Sequence, residues 1–229
     1  MINFVFMLTH SDSTVPGAVE YVERLAATGL RYIGFKDVGA DPQTQREIAK
    51  VARDAGLETM LEVVSVTRED EVRSVQAALA AEVDWILGGT NPDAVLPLLA
   101  GTDVRYCPFP GRVVGHPSVL EGSIEEIAAS AASLTGRPGV HGLDLLAYRH
   151  ASADIAQLTR AVVEASAGPV IAAGSVTSAA QIDTLAAAGA WGFTIGSAIF
   201  DGLLPGAPDV AEQVREVLAI AAAAPGGAG

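Results

Sequence analysis

The sequence predicts a single (β/α)8 barrel, and two observations carry that prediction. Short apolar runs alternate with longer stretches of helical period, eight times in regular succession. Eight such units suit a closed parallel barrel, whereas a doubly wound open sheet usually stops at about six strands. The length of 229 residues also fits one barrel better than two small domains.

Taken in order, strands are expected at residues 3–8, 32–36, 59–64, 85–88, 104–108, 140–145, 170–173 and 192–195. Each is too short and too uniformly apolar for a surface helix. Helices are expected between them at 15–28, 42–55, 68–81, 91–100, 123–135, 153–167, 178–188 and 207–221, from their alanine content and apolar spacing. Gly29, Gly56 and Gly189 stand just past three of these ends, where a left-handed cap favours glycine. The barrel is thus assigned to residues 1–221, and the Ala/Pro/Gly stretch 222–229 to a flexible tail. Residues 108–122 hold three prolines, Arg112 and His116 and show no helical period. A long loop is expected there, at a strand's C-terminal end, where a barrel keeps substrate contacts or a lid.

Composition excludes several classes of function. Half the residues are hydrophobic and 18% are charged, which is enough apolar material for a large core and argues against disorder. The net charge of -13 repels nucleic acid and anionic membranes, so neither is an expected partner, although a local pocket can still hold a phosphate. The single cysteine, Cys107, rules out an internal disulfide and a thiolate zinc cluster. It is expected to be a buried thiol in a cytoplasmic protein. The first residues lack the basic leader of a signal peptide, and no apolar run reaches about 20 residues unbroken. Homo-oligomerisation is compatible with all of this.

The most informative segments are Val170-Ile171-Ala172-Ala173-Gly174-Ser175-Val176-Thr177-Ser178 and Gly192-Phe193-Thr194-Ile195-Gly196-Ser197-Ala198-Ile199-Phe200. In each, a buried strand ends in Gly-Ser and a helix or helical turn follows. Glycine lets the backbone approach a ligand, and the amides at a helix start point outward with a partial positive charge. Two such turns on the seventh and eighth strands would grip one phosphate through Gly174, Ser175, Gly196 and Ser197 without any lysine.

Residues 170–200 resemble the ribulose-phosphate-binding barrel superfamily. This group includes histidine- and tryptophan-pathway isomerases, N-acylmannosamine-phosphate epimerases, ribulose-phosphate epimerase, keto-acid-phosphate aldolases and thiazole synthase. The resemblance covers the eight-unit layout of the chain, with its specific motif in the last quarter. It implies a phosphorylated, usually sugar-like substrate, and it leaves the reaction open because one scaffold hosts several.

Strand alternation then sorts the remaining charges. If Lys36 faces the barrel axis, so does Gly34, while Ile33 and Phe35 face the helices. The same parity sends Glu62 and Asp144 inward and their aliphatic neighbours outward. All three are therefore expected at the barrel mouth, since a charge trapped between sheet and helix costs several kcal/mol unless paired. Lys36 and Glu62 would lie roughly 5 Å apart at the backbone on neighbouring strands, with Asp144 opposite. A cation between two carboxylates suits proton transfer next to a carbonyl: one carboxylate takes the proton and the cation stabilises the enolate oxygen. His10, in Thr9-His10-Ser11-Asp12 after the first strand, is a candidate acid/base. Thr9, Gly89, Arg112, His116 and Arg149 are candidate substrate contacts, the two arginines and His116 toward a carboxylate or second phosphate.

Two alternatives stay open. Lys36 would serve an aldolase or lyase by forming a Schiff base, though Glu62 beside it favours the ammonium form. A non-catalytic phosphate-ligand binding protein would use the same pocket. The decarboxylase pattern Asp-x-Lys-x-x-Asp is not reproduced by Phe35-Lys36-Asp37-Val38. No metal ligand set and no nucleotide loop is evident, so no cofactor is expected, although Glu62, Asp144 and a phosphate would suffice for Mg2+.

Overall fold

Eight parallel strands wrap into a barrel in the computed structural model, which describes residues 1–225. The strands are β1 (Asn3–Met7), β2 (Tyr32–Lys36), β3 (Glu58–Val63), β4 (Trp85–Gly88), β5 (Arg105–Cys107), β6 (Leu143–Leu145), β7 (Val170–Ala172) and β8 (Gly192–Ile195). Seven continuous pairings run β6-β7-β8-β1-β2-β3-β4-β5. The ring closes between β5 and β6 without a regular ladder, through the His141 and Asp144 amides donating to the Tyr106 and Pro108 carbonyls at 2.8 and 3.1 Å.

The helices are α1 (Ala18–Leu25), α2 (Pro42–Asp54), α3 (Arg68–Ala80), α4 (Pro92–Leu99), α5 (Ile124–Thr135), α6 (Ile155–Ala165), α7 (Ala179–Ala187), a single turn α8 (Ser197–Phe200) and α9 (Val210–Ala223). Their starts are set chemically. Asp41, Thr67, Ser123, Asp154, Ser178 and Asp209 each accept from a first-turn amide, and Ser123 with Glu126 completes a capping box. None of these helices is long and apolar enough to cross a membrane.

Boundaries move by a few residues from the sequence expectation. α9 runs through Ala223, two residues into the stretch assigned to a tail, and residues 226–229 lie outside the described part. The larger difference is at 108–122, where the expected loop contains an antiparallel hairpin pairing Arg112–Val114 with Val119–Glu121. Its Leu120, with Phe109, packs against Ile127 of α5 and Leu145 and Leu146 after β6. Alternation is masked in so short a segment by its glycines and prolines.

The two faces of each strand divide the core. Phe4, Phe6, Ile33, Phe35, Leu61, Ile86 and Phe193 point to the helices, while Val5, Met7, Met60, Leu87, Cys107 and Ile171 fill the barrel. At the strands' N-terminal ends the base is closed by rings: Trp191 lies 5.3 Å from Tyr32 and 5.5 Å from Trp85. Glu58 ties that base together by accepting from Trp85, Arg31 and Arg105. The opposite end carries Lys36 and Glu62.

Candidate active site

A short hairpin after β1 organises the mouth. Thr9–His10 pairs with Ser13–Thr14, and the turn residues Ser11 and Asp12 both have positive φ, 48° and 62°. A two-residue hairpin turn of this hand normally uses Asn-Gly, so Ser-Asp is strained by about 1 kcal/mol or more per residue. The hairpin is nailed to the end of β2 by Thr14, whose hydroxyl donates to the Lys36 carbonyl and accepts the Lys36 amide, both at 2.9 Å. That contact brings Asp12 onto the Lys36 ammonium.

Lys36 and Glu62 face each other directly in the β2–β3 register and lie 3.6 Å apart. Asp12 also receives the Arg149 guanidinium, through bonds of 2.8 and 3.0 Å. Arg149 sits on a turn of 3-10 helix, Ala147–Arg149, and donates further to the Ser118 carbonyl of the hairpin at 3.3 Å. Burial would raise the Asp12 carboxyl, but hydrogen bonds from Arg149 and the charge of Lys36 hold it well below the usual carboxylate range.

Asp144 behaves oppositely. It is fully buried and neither carboxylate oxygen has a hydrogen-bond partner among the described residues. Burial, and then the negative charge of Glu62, push its carboxyl well above the usual range, against the pull of Lys36 and Arg149. Burial likewise pushes the Cys107 thiol up, with Asp144 adding to it. Burial thus disfavours the charged form of Asp144. Asp144 is not among the residues that line the cavity above Lys36 and Glu62.

Above Lys36 and Glu62 opens a cavity of about 270 Å³, lined also by Thr9, Asp12, Arg149, Gly174, Ser175, Thr194, Gly196 and Ser197. Gly174 has φ 78° and Ser175 φ 60°. The backbone amides of Gly174, Ser175 and Val176 find no acceptor among the described residues. A Cβ on Gly174 would collide with Arg149 Nε, a buried donor that itself lacks a partner. A Cβ on Gly196 would run into Thr9, so the bare glycine lets β8 close against the first hairpin. The Ser197 hydroxyl accepts the Ser11 amide at 3.2 Å, leaving its own hydrogen free to donate.

Other sequence candidates fall outside this cavity. His10 is exposed, bonded to Asp201 at 2.9 Å and edge-on to Phe200, and so clamps the first hairpin to α8. Arg112 is exposed and pairs with Glu121 across its own hairpin. His116 reaches only to within 3.9 Å of Asp12 from the hairpin tip. Gly89 lines a separate hollow, and its lack of a side chain is explained by the buried Glu71, which a Cβ there would strike. Glu71 accepts the Thr90 and Asn91 amides and the Asn91 side chain, fixing the start of α4. Among the described residues, no group of three His, Cys, Asp or Glu side chains is placed to hold a metal ion.

Sequence reasoning missed Asp12, the hub of the site. Its partners are 24 and 137 residues away, so no local pattern marks it. The available signal was a carboxylate in a polar tetrapeptide at a strand's C-terminal end.

No family model matches the sequence, and no curated protein matches it either. Solved structures do. Orotidine 5'-phosphate decarboxylase from Pyrococcus horikoshii OT3 superposes with TM-score 0.69 at 13% identity, covering 96% of this chain and 99% of that one. Tryptophan synthase from M. tuberculosis gives 0.69 at 17% identity, over 96% and 92%. The N-acetylmannosamine-6-phosphate 2-epimerase from Clostridium perfringens gives 0.60 at 13%, over 86% of each chain. At these identities the likeness is one of fold, the (β/α)8 barrel.

Proposed function

We propose that this chain is an enzyme that moves a proton next to a carbonyl on a phosphorylated, sugar-like small molecule, as an isomerase or epimerase. One observation carries the reading: a single cavity joins the two Gly-Ser turns to the Lys36–Glu62 pair. The open amides of Gly174 to Val176 and the Ser175 and Ser197 hydroxyls supply donors for a phosphate at one end. Two of the solved structures of this fold are named for a phosphate ester, orotidine 5'-phosphate and N-acetylmannosamine-6-phosphate, which supports that choice of ligand.

The carboxyl groups divide the chemical work. Asp12 is engaged by two cations, and burial raises the Asp144 carboxyl, which lies outside the lining of the cavity. Glu62 is left as the carboxylate able to take a proton from substrate, while Lys36 places positive charge where an enolate oxygen develops. Asp12 and Arg149 position Lys36. Its contacts are those of an ammonium ion, which is a poor nucleophile for imine formation.

The test is solvent exchange. Phosphosugars that raise the melting temperature are incubated with the protein in D2O. Deuterium is expected at a carbon beside the carbonyl, and none with Glu62→Gln. Lys36→Ala should lose turnover while keeping phosphate affinity within a few-fold. Absence of exchange in every stabilising phosphosugar would leave a binding protein. A borohydride-dependent mass increase on Lys36 in the presence of a ketone substrate would replace the reading with a Schiff-base lyase.

A further inference from the structure

A second hollow of about 250 Å³ lies beside the first, beneath the 112–121 hairpin. Val64, Val66, Phe109, Val113 and Val114 form its walls, and the rest of its lining is glycine, serine and threonine, with no charged or amide side chain. One of those hydroxyls, on Ser65, is already committed to Asp37. An apolar group suits the space, since an aliphatic cavity of roughly 150 Å³ is enough to hold benzene.

The two hollows flank an open vestibule, which shares Ser118 with the second and Asp12, Arg149, Ser175 and Ser197 with the first. Together they form a row from the Gly-Ser turns, past the Asp12–Arg149 pair, to the valine walls under the hairpin. Each of its three parts has one exposed aliphatic side chain among its lining residues: Leu203 at 58%, Val119 at 39% and Val66 at 66% exposure. The one other large hydrophobic residue exposed among the described residues is Met1.

We infer that the hollow under the hairpin is the subsite for an aromatic or alkyl end of the ligand, so that the substrate is an amphipathic phosphate ester rather than a plain sugar phosphate. This rests on the proposed capture of phosphate at the Gly-Ser turns, which sets the direction in which the molecule lies.

Calorimetric titration with inorganic phosphate, ribose 5-phosphate, 4-phenylbutyl phosphate and 4-phenylbutanol separates the two claims. The phenylbutyl ester is expected to bind about ten- to a hundredfold more tightly than either inorganic phosphate or ribose 5-phosphate, as burial of a ring predicts. Val66→Asp, at an exposed position that leaves folding intact, should remove most of that gain and leave inorganic phosphate within about twofold; Val113→Asp should do the same. Equal or tighter binding of ribose 5-phosphate, or a gain that survives both substitutions, would overturn the subsite while leaving phosphate capture standing. Binding of the alcohol that Val66→Asp abolishes, without binding of any phosphate, would keep the subsite and remove phosphate capture. Failure of every probe would overturn the subsite.

Discussion

Asp12 holds the Arg149 guanidinium end-on through two hydrogen bonds while one of the same carboxylate oxygens takes the Lys36 ammonium. One partly buried anion thus anchors the buried Lys36 and the partly buried Arg149, drawn from opposite sides of the barrel. Asp12→Asn would leave both cations undercompensated and is expected to cost about 3 kcal/mol of stability. The carboxyl is held low in the folded state, so its contribution is present above the ordinary aspartate value of about 3.9 and fades as pH falls below it. Urea unfolding of wild type and variant should therefore show a difference that is largest near neutrality and shrinks in acid. A difference independent of pH would mean Asp12 is not the ionised partner.

Asp144 should titrate stability in the opposite sense. Its carboxyl is raised on folding, so the folded state favours the protonated form and loses ground to the unfolded chain as pH rises above the ordinary aspartate value. Asp144→Asn removes that burden while keeping the shape. The variant is expected to match wild type near pH 4 and to gain on it progressively toward pH 8. Equal pH dependence of the two proteins would show that Asp144 is ionised and paired.

Gly174→Ala puts a methyl group on a backbone at φ 78° and against Arg149 Nε. Strain of about 1 kcal/mol or more is expected, together with at least a tenfold loss of inorganic phosphate affinity by titration. Ser197→Asp should weaken the same affinity by setting an anion beside an anion. Unchanged binding in both would place the ligand elsewhere.

Glu71→Ala should act on stability alone. Its carboxylate accepts from the Thr90 and Asn91 amides at 3.0 and 3.1 Å and from the Asn91 side chain at 2.7 Å. Leaving those donors without an acceptor is expected to lower unfolding free energy by about 3 kcal/mol. Phosphate affinity, measured beside the urea midpoint, should stay within about twofold.

The eight units were readable because each strand is a run of core residues and each helix repeats its apolar positions; Lys36 and Glu62 were placed by parity alone. The same parity rule turned Asp144 inward, but it carries no depth along the barrel axis, and depth is what separates a fully buried carboxyl from one that lines the cavity. His10 illustrates a different gap. Its position at the rim was legible, yet its ring is drawn to Asp201, 191 residues later, and nothing local announces that partner. The 112–121 hairpin escaped notice because its strands are three residues each, too short for alternation to be distinguished from a loop rich in valine.

The joint between β5 and β6 has two backbone hydrogen bonds where the other junctions have ladders. A ring with one soft joint widens there first, and the hairpin hangs over that joint. Amide exchange in the joint should thus outpace that in the remaining ladders, and the barrel can breathe beneath the hairpin while the rest of its wall stays shut.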